Sequence, residues 1–165
     1  AKRLAKTYRT VDGELEEAGN YFVKGGLSDR SRTPYPAGGL FSTARDMMRF
    51  YQMMLHGGVV DGNRLLKKKS VKELTRTQTG DIKTGFVTGM SWGLGFQVVK
   101  EPQGVTEMLS PGTYGHGGAY ATNSWADPKT GLIYILMIQR AGFPNADNSP
   151  VRKAFQQAAA DQFAR

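Results

Sequence analysis

The 165 residues include no cysteine, so disulfides and thiolate metal sites are excluded. Histidine is scarce too, with only His56 and His116, and neither a metal nor a cofactor is expected. No apolar stretch reaches the length of a membrane-spanning helix; the longest run covers residues 132–138. The start, Ala1-Lys2-Arg3-Leu4-Ala5-Lys6, has no long apolar segment behind it and is not expected to be a secretory signal. Acidic residues are outnumbered, 14 against 22 lysines and arginines, for a net charge of +8. That balance suits an anionic partner such as nucleic acid, a cell-wall polymer or a membrane surface; it equally suits a surface solvated by lysine. The lysines are scattered, and no nucleic-acid motif or exposed aromatic stacking set accompanies them, so nucleic acid is not an expected partner.

The composition that remains is globular, with 39% hydrophobic and 22% charged residues, and its length suits one domain over 1–165. Its 21 glycines call for many tight turns. Leu4, Ala5, Tyr8 and Val11 suit a short helix or strand before a turn at Asp12-Gly13, and Tyr21-Phe22-Val23 reads as a short strand. Thr43, with Asp46 three residues on, predicts a capped helix. Its apolar face would hold Met47, Phe50, Tyr51, Met54 and Leu55, and Gly57-Gly58 would end it, with His56 as a cap residue. A hairpin is expected around Asp61-Gly62-Asn63, then a solvated Lys67-Lys68-Lys69 loop and a second helix capped by Ser70. Met90, Trp92, Leu94, Phe96 and Val98 alternate with small or polar residues and predict one half-buried strand. Residues 120–126 read as a strand, Asp127-Pro128-Lys129-Thr130-Gly131 as a turn, and 132–138 as a central strand covered on both faces. Ser149-Pro150 opens a last helix with Val151, Ala154, Phe155, Ala158 and Phe163 toward the core. The sum is an α/β (α+β) fold, an antiparallel sheet flanked by helices.

One stretch carries candidate chemistry: Tyr114-Gly115-His116-Gly117-Gly118-Ala119-Tyr120. Glycines at this density let another group approach the backbone, and exposed N–H groups beside them can hold an oxyanion. A glycine-rich turn with a surface histidine is the plainer reading of the same residues.

Four segments in order bear a resemblance. They are Pro36-Ala37-Gly38-Gly39-Leu40-Phe41-Ser42-Thr43-Ala44-Arg45-Asp46, Trp92-Gly93-Leu94-Gly95-Phe96, Gly115-His116-Gly117-Gly118, and Asp127-Pro128 with a strand behind it. Together the chain resembles the serine β-lactamase-related family of class C β-lactamases, D-alanyl-D-alanine carboxypeptidases and related esterases, from about Leu4 onward. The resemblance implies a β-lactamase/transpeptidase-like fold and acyl-serine hydrolysis of an ester, amide or β-lactam. His116-Gly117-Gly118 is similar to the third family motif, and the Ala119 N–H to an oxyanion-hole donor. His116, Gly117, Gly118 and Ala119 are thus the implied catalytic set, with Tyr114, Tyr120 and Trp92 against a small-molecule or peptide substrate. An extracytoplasmic location is implied as well.

The departures are as telling. None of Ser28, Ser31, Ser42, Ser70, Ser91, Ser110, Ser124 and Ser149 is followed by x-x-Lys, and no tyrosine by x-Asn or x-Ser. The family's nucleophile, lysine and tyrosine base are therefore missing, and the chain resembles only the C-terminal part of such an enzyme. It is expected to be inactive alone, to need the N-terminal portion as partner, and to associate by dimerisation or strand exchange. A non-catalytic peptide or cell-wall binding module using the same groove is the alternative. Histidine in place of the usual lysine of the third motif brings less charge near neutral pH and favours esters or peptides over β-lactams.

Overall fold

The computed structural model describes residues 3–23, 29–33, 35–84, 87–144 and 146–163. The chain opens on a hairpin of β1 (Thr7–Val11) and β2 (Glu14–Ala18), turned through Asp12 and Gly13, both with positive φ. That turn conformation matches the twist of paired strands, and Asp-Gly adopts it at low cost. The same device, Asp61-Gly62, joins β3 (Val59–Val60) to β4 (Asn63–Arg64). Tyr21–Val23 is a turn of 3₁₀ helix, not the expected strand. Its geometry is set locally, because the Asn20 side chain accepts from the Phe22 N–H at 3.0 Å.

Helix α1 (Ala44–Leu55) starts where Thr43 caps it. Thr43 Oγ1 accepts from the Asp46 N–H at 3.2 Å, and its hydroxyl donates to the Asp46 carboxylate at 2.8 Å. Gly58 donates to Met53 O and Gly57 to Met54 O, which closes the helix with two left-handed glycines after His56. The buried positions are Tyr51, Met53 and Met54; Phe50, expected inside, is exposed and stacks on Phe96. Helix α2 (Lys68–Thr75) begins two residues before the expected Ser70 cap. The Lys67 carbonyl accepts from the Ser70 and Val71 N–H groups, so two of the three lysines lie in the first turn and Ser70 within the helix.

The main sheet is an antiparallel meander of β5 (Met90–Trp92), β6 (Gln97–Val99), β7 (Tyr114–Gly117), β8 (Asn123–Ala126) and β9 (Ile133–Leu136), in that order. The single alternating strand expected over 90–98 is a hairpin, β5 against β6. The Gly93 N–H donates to Phe96 O, and Gly95 has a positive φ of 85°, so the chain reverses between them. A side chain at Gly93 would also strike the Leu74 carbonyl oxygen of α2. The strand expected from Tyr120 is shorter, because Tyr120 and Ala121 belong to the preceding turn. β9 lies at the end of the sheet, not its centre. The apolar run is explained by helices on both faces, since Ile133 packs with the α1 side and Tyr134 with the opposite side. Asp127, fully buried in the turn between β8 and β9, accepts N–H bonds from Ser110, Lys129 and Thr130.

Helix α3 (Pro150–Phe163) is capped by Ser149, whose Oγ accepts from the Arg152 N–H at 3.1 Å. Its inward face is Arg152, Phe155, Gln156 and Ala159, whereas Val151 and Phe163 are exposed. The two faces of the sheet thus carry separate cores. Tyr51, Met54, Val71, Val98, Tyr114 and Ala126 pack on the α1 side; Val99, Leu109, Trp125 and Tyr134 pack on the α3 side. Among the described residues no helix is long and apolar enough to cross a membrane.

Candidate active site

The end of β7 and the turn after it form one wall of a groove of about 1300 Å³. The groove is also lined by Ala37, Gly38 and residues 40–43, by Asp46 and Met47 of α1, and by Tyr21, Phe22 and Tyr35. His116, Gly117, Gly118, Ala119 and Tyr120 all line it, so five of the seven candidate residues are brought together.

Strand pairing decides which way each side chain points. Tyr114 and His116 lie on the α1 face, paired with Ala126 and Ser124, while Gly115 and Gly117 lie on the α3 face with Trp125 and Asn123. His116 Nδ1 faces the Gly117 carbonyl oxygen. A carbonyl only accepts, so Nδ1 carries the proton, and in the neutral ring Nε2 is left as an acceptor. His116 therefore donates through Nε2 only as an imidazolium. The Trp92 ring lies 5.1 Å from the imidazole between centroids and meets the site through that ring, not as a wall of the groove. Ser124 adds a hydroxyl across the strand. Tyr51 Oη donates to the Ser124 carbonyl oxygen at 2.7 Å and lies 3.0 Å from Ser124 Oγ. Burial pushes the Tyr51 phenol up to about 12, opposed by the Ser124 bond, so it stays protonated at neutral pH.

Tyr114 is placed inside the core. It is 3% exposed, its ring packs against Tyr51 and Phe96, and burial, then Tyr51, raise its phenol pKa. Its side chain is not among those lining the groove. Tyr120 lines the groove but is mostly buried; its Oη accepts from the Tyr21 N–H at 2.9 Å and ties the 3₁₀ turn to the end of β7.

The glycines are needed by the protein's own atoms. A Cβ at Gly115 would lie 2.2 Å from Ser124 O, one at Gly117 2.1 Å from Asp147 Oδ1, and one at Gly118 2.2 Å from Thr122 Oγ1. The close approach foreseen from glycine density is therefore internal. It fixes a tight turn in which Gly118 N–H donates to Thr122 O at 2.7 Å and Ala121 N–H to Gly118 O at 2.9 Å. The Gly118 donor is consumed there. Ala119 is exposed at the turn, and its N–H has no hydrogen-bond partner among the described residues. It belongs to a residue that lines the same groove as His116. Sequence reasoning missed Ser124, Tyr51 and Asp147. The alternation of 123–126 was the available signal for Ser124, since it puts that residue opposite His116 once the turn is counted. Among the described residues, no cluster of acidic and histidine side chains could hold a metal ion.

The Beta-lactamase family profile matches residues 1–159. Protein Rv1367c of Mycobacterium tuberculosis is 37% identical over 112 residues, covering 62% of this chain and 28% of that protein. A Salmonella typhi protein, named provisionally as a D-alanyl-D-alanine carboxypeptidase, is 29% identical over 139 residues, 84% of this chain and 29% of that one. The chain thus spans under a third of the length of these curated relatives. Among solved structures, a LovD6 mutant of simvastatin synthase from Aspergillus terreus superposes with a TM-score of 0.72 at 19% identity, covering 98% of this chain and 43% of that one. A β-lactamase from Mycobacterium bovis, Mb2281c, gives a TM-score of 0.59 at 23% identity, with 75% and 45% covered. At these identities the two structures speak for the fold alone.

Proposed function

Because the chain belongs to the β-lactamase family, we propose that it is the part of a serine hydrolase that binds the acyl oxyanion, working with a nucleophile carried outside residues 1–165. The observation that carries this reading is the Ala119 N–H, which makes no hydrogen bond among the described residues and belongs to an exposed residue lining the groove, while the Gly118 and Ala121 N–H groups on either side are bonded within the turn. A fixed donor of this kind, placed where negative charge develops on a carbonyl oxygen, lowers the barrier by roughly 3 kcal/mol. His116 lies beside it and binds a substrate carboxylate or leaving group as an imidazolium, or accepts a proton at Nε2 when neutral. The substrate is an ester, amide or β-lactam, with esters and peptides favoured by histidine in the third motif.

No serine of the chain has the lysine of an S-x-x-K pair, so no residue here is set up as an activated nucleophile. The N-terminal portion supplies serine, lysine and tyrosine, and it covers the apolar walls formed by Leu40 and Phe41, which are exposed in this structure. Residues 1–165 form one domain of the whole enzyme, with an extracytoplasmic location. Alone, the chain associates through those walls by dimerisation or strand exchange; a monodisperse monomer in light scattering contradicts that.

The test is turnover of p-nitrophenyl acetate and nitrocefin by the chain alone and mixed with the N-terminal portion, with intact-mass detection of an acyl adduct. Turnover only in the mixture, with the adduct on the N-terminal portion, is expected. Turnover and an adduct on this chain alone would overturn the assignment.

A further inference from the structure

Directly behind β7, on the face away from His116, four polar side chains are shut inside the protein. Gln97, Arg152 and Gln156 are 0% exposed and Asp147, in the 3₁₀ turn Ala146–Asn148, is 6% exposed. Gln97 Nε2 donates to Asp147 Oδ2 at 3.0 Å. Arg152 Nη1 donates to the Asp147 backbone carbonyl at 2.7 Å, and Nε donates to Gln156 Oε1 at 3.0 Å. The guanidinium lies 3.9 Å over the Trp125 ring. Burial pulls the arginine pKa down to about 10, while Asp147 pushes it the other way.

Such a group is an expensive way to hold a fold together, because apolar side chains of similar volume serve stability as well or better. Its placement is therefore informative. Gln97 on β6 pairs in register with Gly115, and Trp125 on β8 pairs with the same glycine from the other side. Asp147 Oδ1 lies where a Cβ of Gly117 would stand, 2.1 Å from that position. The cluster thus reaches β6, β7 and β8 at once, just before Gly118 and Ala119. Four of its atoms, Gln97 Oε1, Asp147 Oδ1, Arg152 Nη2 and Gln156 Nε2, make no hydrogen bond among the described residues, so hydrogen bonding within the cluster does not by itself account for it.

We propose that Asp147 is a positioning residue: held by Gln97 and Arg152, its carboxylate sets the height of Gly117 and thereby the direction of the Ala119 N–H. This rests on the reading that Ala119 meets the oxyanion. The ladder from Asp147 to the donor is short, running through Gly117 Cα, the Gly118 turn bonded to Thr122, and Ala119. Displacement of a catalytic donor by about an ångström costs roughly 10²-fold in rate.

Two readouts test it. In the ¹⁵N-labelled chain, Asp147→Ala shifts the amide resonance of Ala119 and speeds its hydrogen exchange, while the amides of α1 keep their positions. Gln97→Leu, which cuts only the bond to Asp147 Oδ2, moves the Ala119 resonance the same way; it serves where Asp147→Ala does not fold. In the mixture with the N-terminal portion, Asp147→Ala lowers kcat by roughly 10²-fold with KM nearly unchanged. Asp147→Asn, which keeps the shape and one acceptor, recovers most of that loss. A folded Asp147→Ala or Gln97→Leu chain whose Ala119 resonance stays in place overturns the proposal. An unchanged kcat in the mixture overturns it as well. A wild-type mixture without turnover would sink the functional reading instead, and the amide shifts would still decide the positioning claim.

Discussion

The two faces of the sheet are built on different principles. On the α1 side the core is apolar and aromatic, with Tyr51, Met54, Phe96, Val98, Tyr114 and Ala126 in contact, and its polar side chains are small or phenolic: Ser91, Ser124, Tyr51 and Tyr114. Tyr51 bonds to Ser124, while Tyr114 Oη is left without a partner among the described residues. On the α3 side a smaller apolar set around Trp125 shares its space with a buried arginine, an aspartate and two glutamines. The first face holds the sheet. The second sets β7 with hydrogen bonds and glycine contacts, which have directions that apolar packing lacks. The face that carries His116 is thus packed through aromatic contacts, and the Ala119 donor is, on our proposal, positioned from behind.

The largest effect that would break this comparison is at Trp125, which is fully buried and lies beneath the guanidinium of Arg152. Trp125→Ala should cost about 3–5 kcal/mol in denaturant unfolding, because it leaves a cavity and strips the stacking partner from a buried charge. A loss under about 1 kcal/mol would mean the α3 face contributes little.

Gly117→Ala comes next. The added methyl meets the Asp147 carboxylate, so unfolding measurements should show a loss of about 1–3 kcal/mol. Combined with Asp147→Ala, the loss should shrink below the sum of the two, because the obstacle has been removed. Strict additivity would show that the contact is not felt.

Tyr51→Phe sharpens the other face. It removes the bond to the Ser124 carbonyl and should cost about 0.5–1.5 kcal/mol. The same change carries a pH signature. The folded phenol titrates near 12 against an ordinary value of 10.0. Its contribution is therefore complete below pH 10 and is lost as the pH rises through 12, since the folded state holds the proton longer than the unfolded chain. Stability measured from pH 9 upward, at roughly half-unit steps, should fall less steeply in Tyr51→Phe. Parallel slopes would contradict the burial of that phenol.

The smallest effect lies at the surface. Arg76 first, then Gln78, pull the Glu73 carboxyl down to about 2, but the group is fully exposed. Its contribution is present above pH 4.5 and fades as the pH falls through 2, and solvent screens it. Glu73→Gln should leave the neutral-pH unfolding midpoint unchanged within error.

Much of the α1 face was legible in the sequence. Thr43, the spacing of Met47, Tyr51 and Met54, and Gly57-Gly58 mark the helix, because apolar periodicity and caps are local signals. The α3 face was not. An apolar template over 150–163 selects Val151 and Phe163, which are exposed, and passes over Arg152 and Gln156. Those two are four residues apart and bonded to each other, and Arg152 also reaches the Asp147 carbonyl in the turn before the helix, whose carboxylate is held by Gln97 of β6; only the tertiary fold brings that set together. The hairpin of β5 and β6 was hidden by alternation that continues through the turn, although Gly93 and Gly95 stood at the reversal. At the site, the cluster from His116 to Tyr120 was readable from its glycines. Tyr114 was drawn toward the groove by its parity with His116, but parity gives a face and not a depth, and two residues earlier that face is already covered by α1.

One backbone proton, that of Ala119, is the most direct probe of the site. In the mixture of the ¹⁵N-labelled chain with the N-terminal portion, the Ala119 amide would be followed as phenylboronic acid is added. The boronate forms a tetrahedral adduct on a reactive serine and mimics the oxyanion. A large downfield shift of the Ala119 proton in step with inhibition is expected if its N–H holds the oxyanion. Inhibition with the Ala119 resonance unmoved would contradict that role.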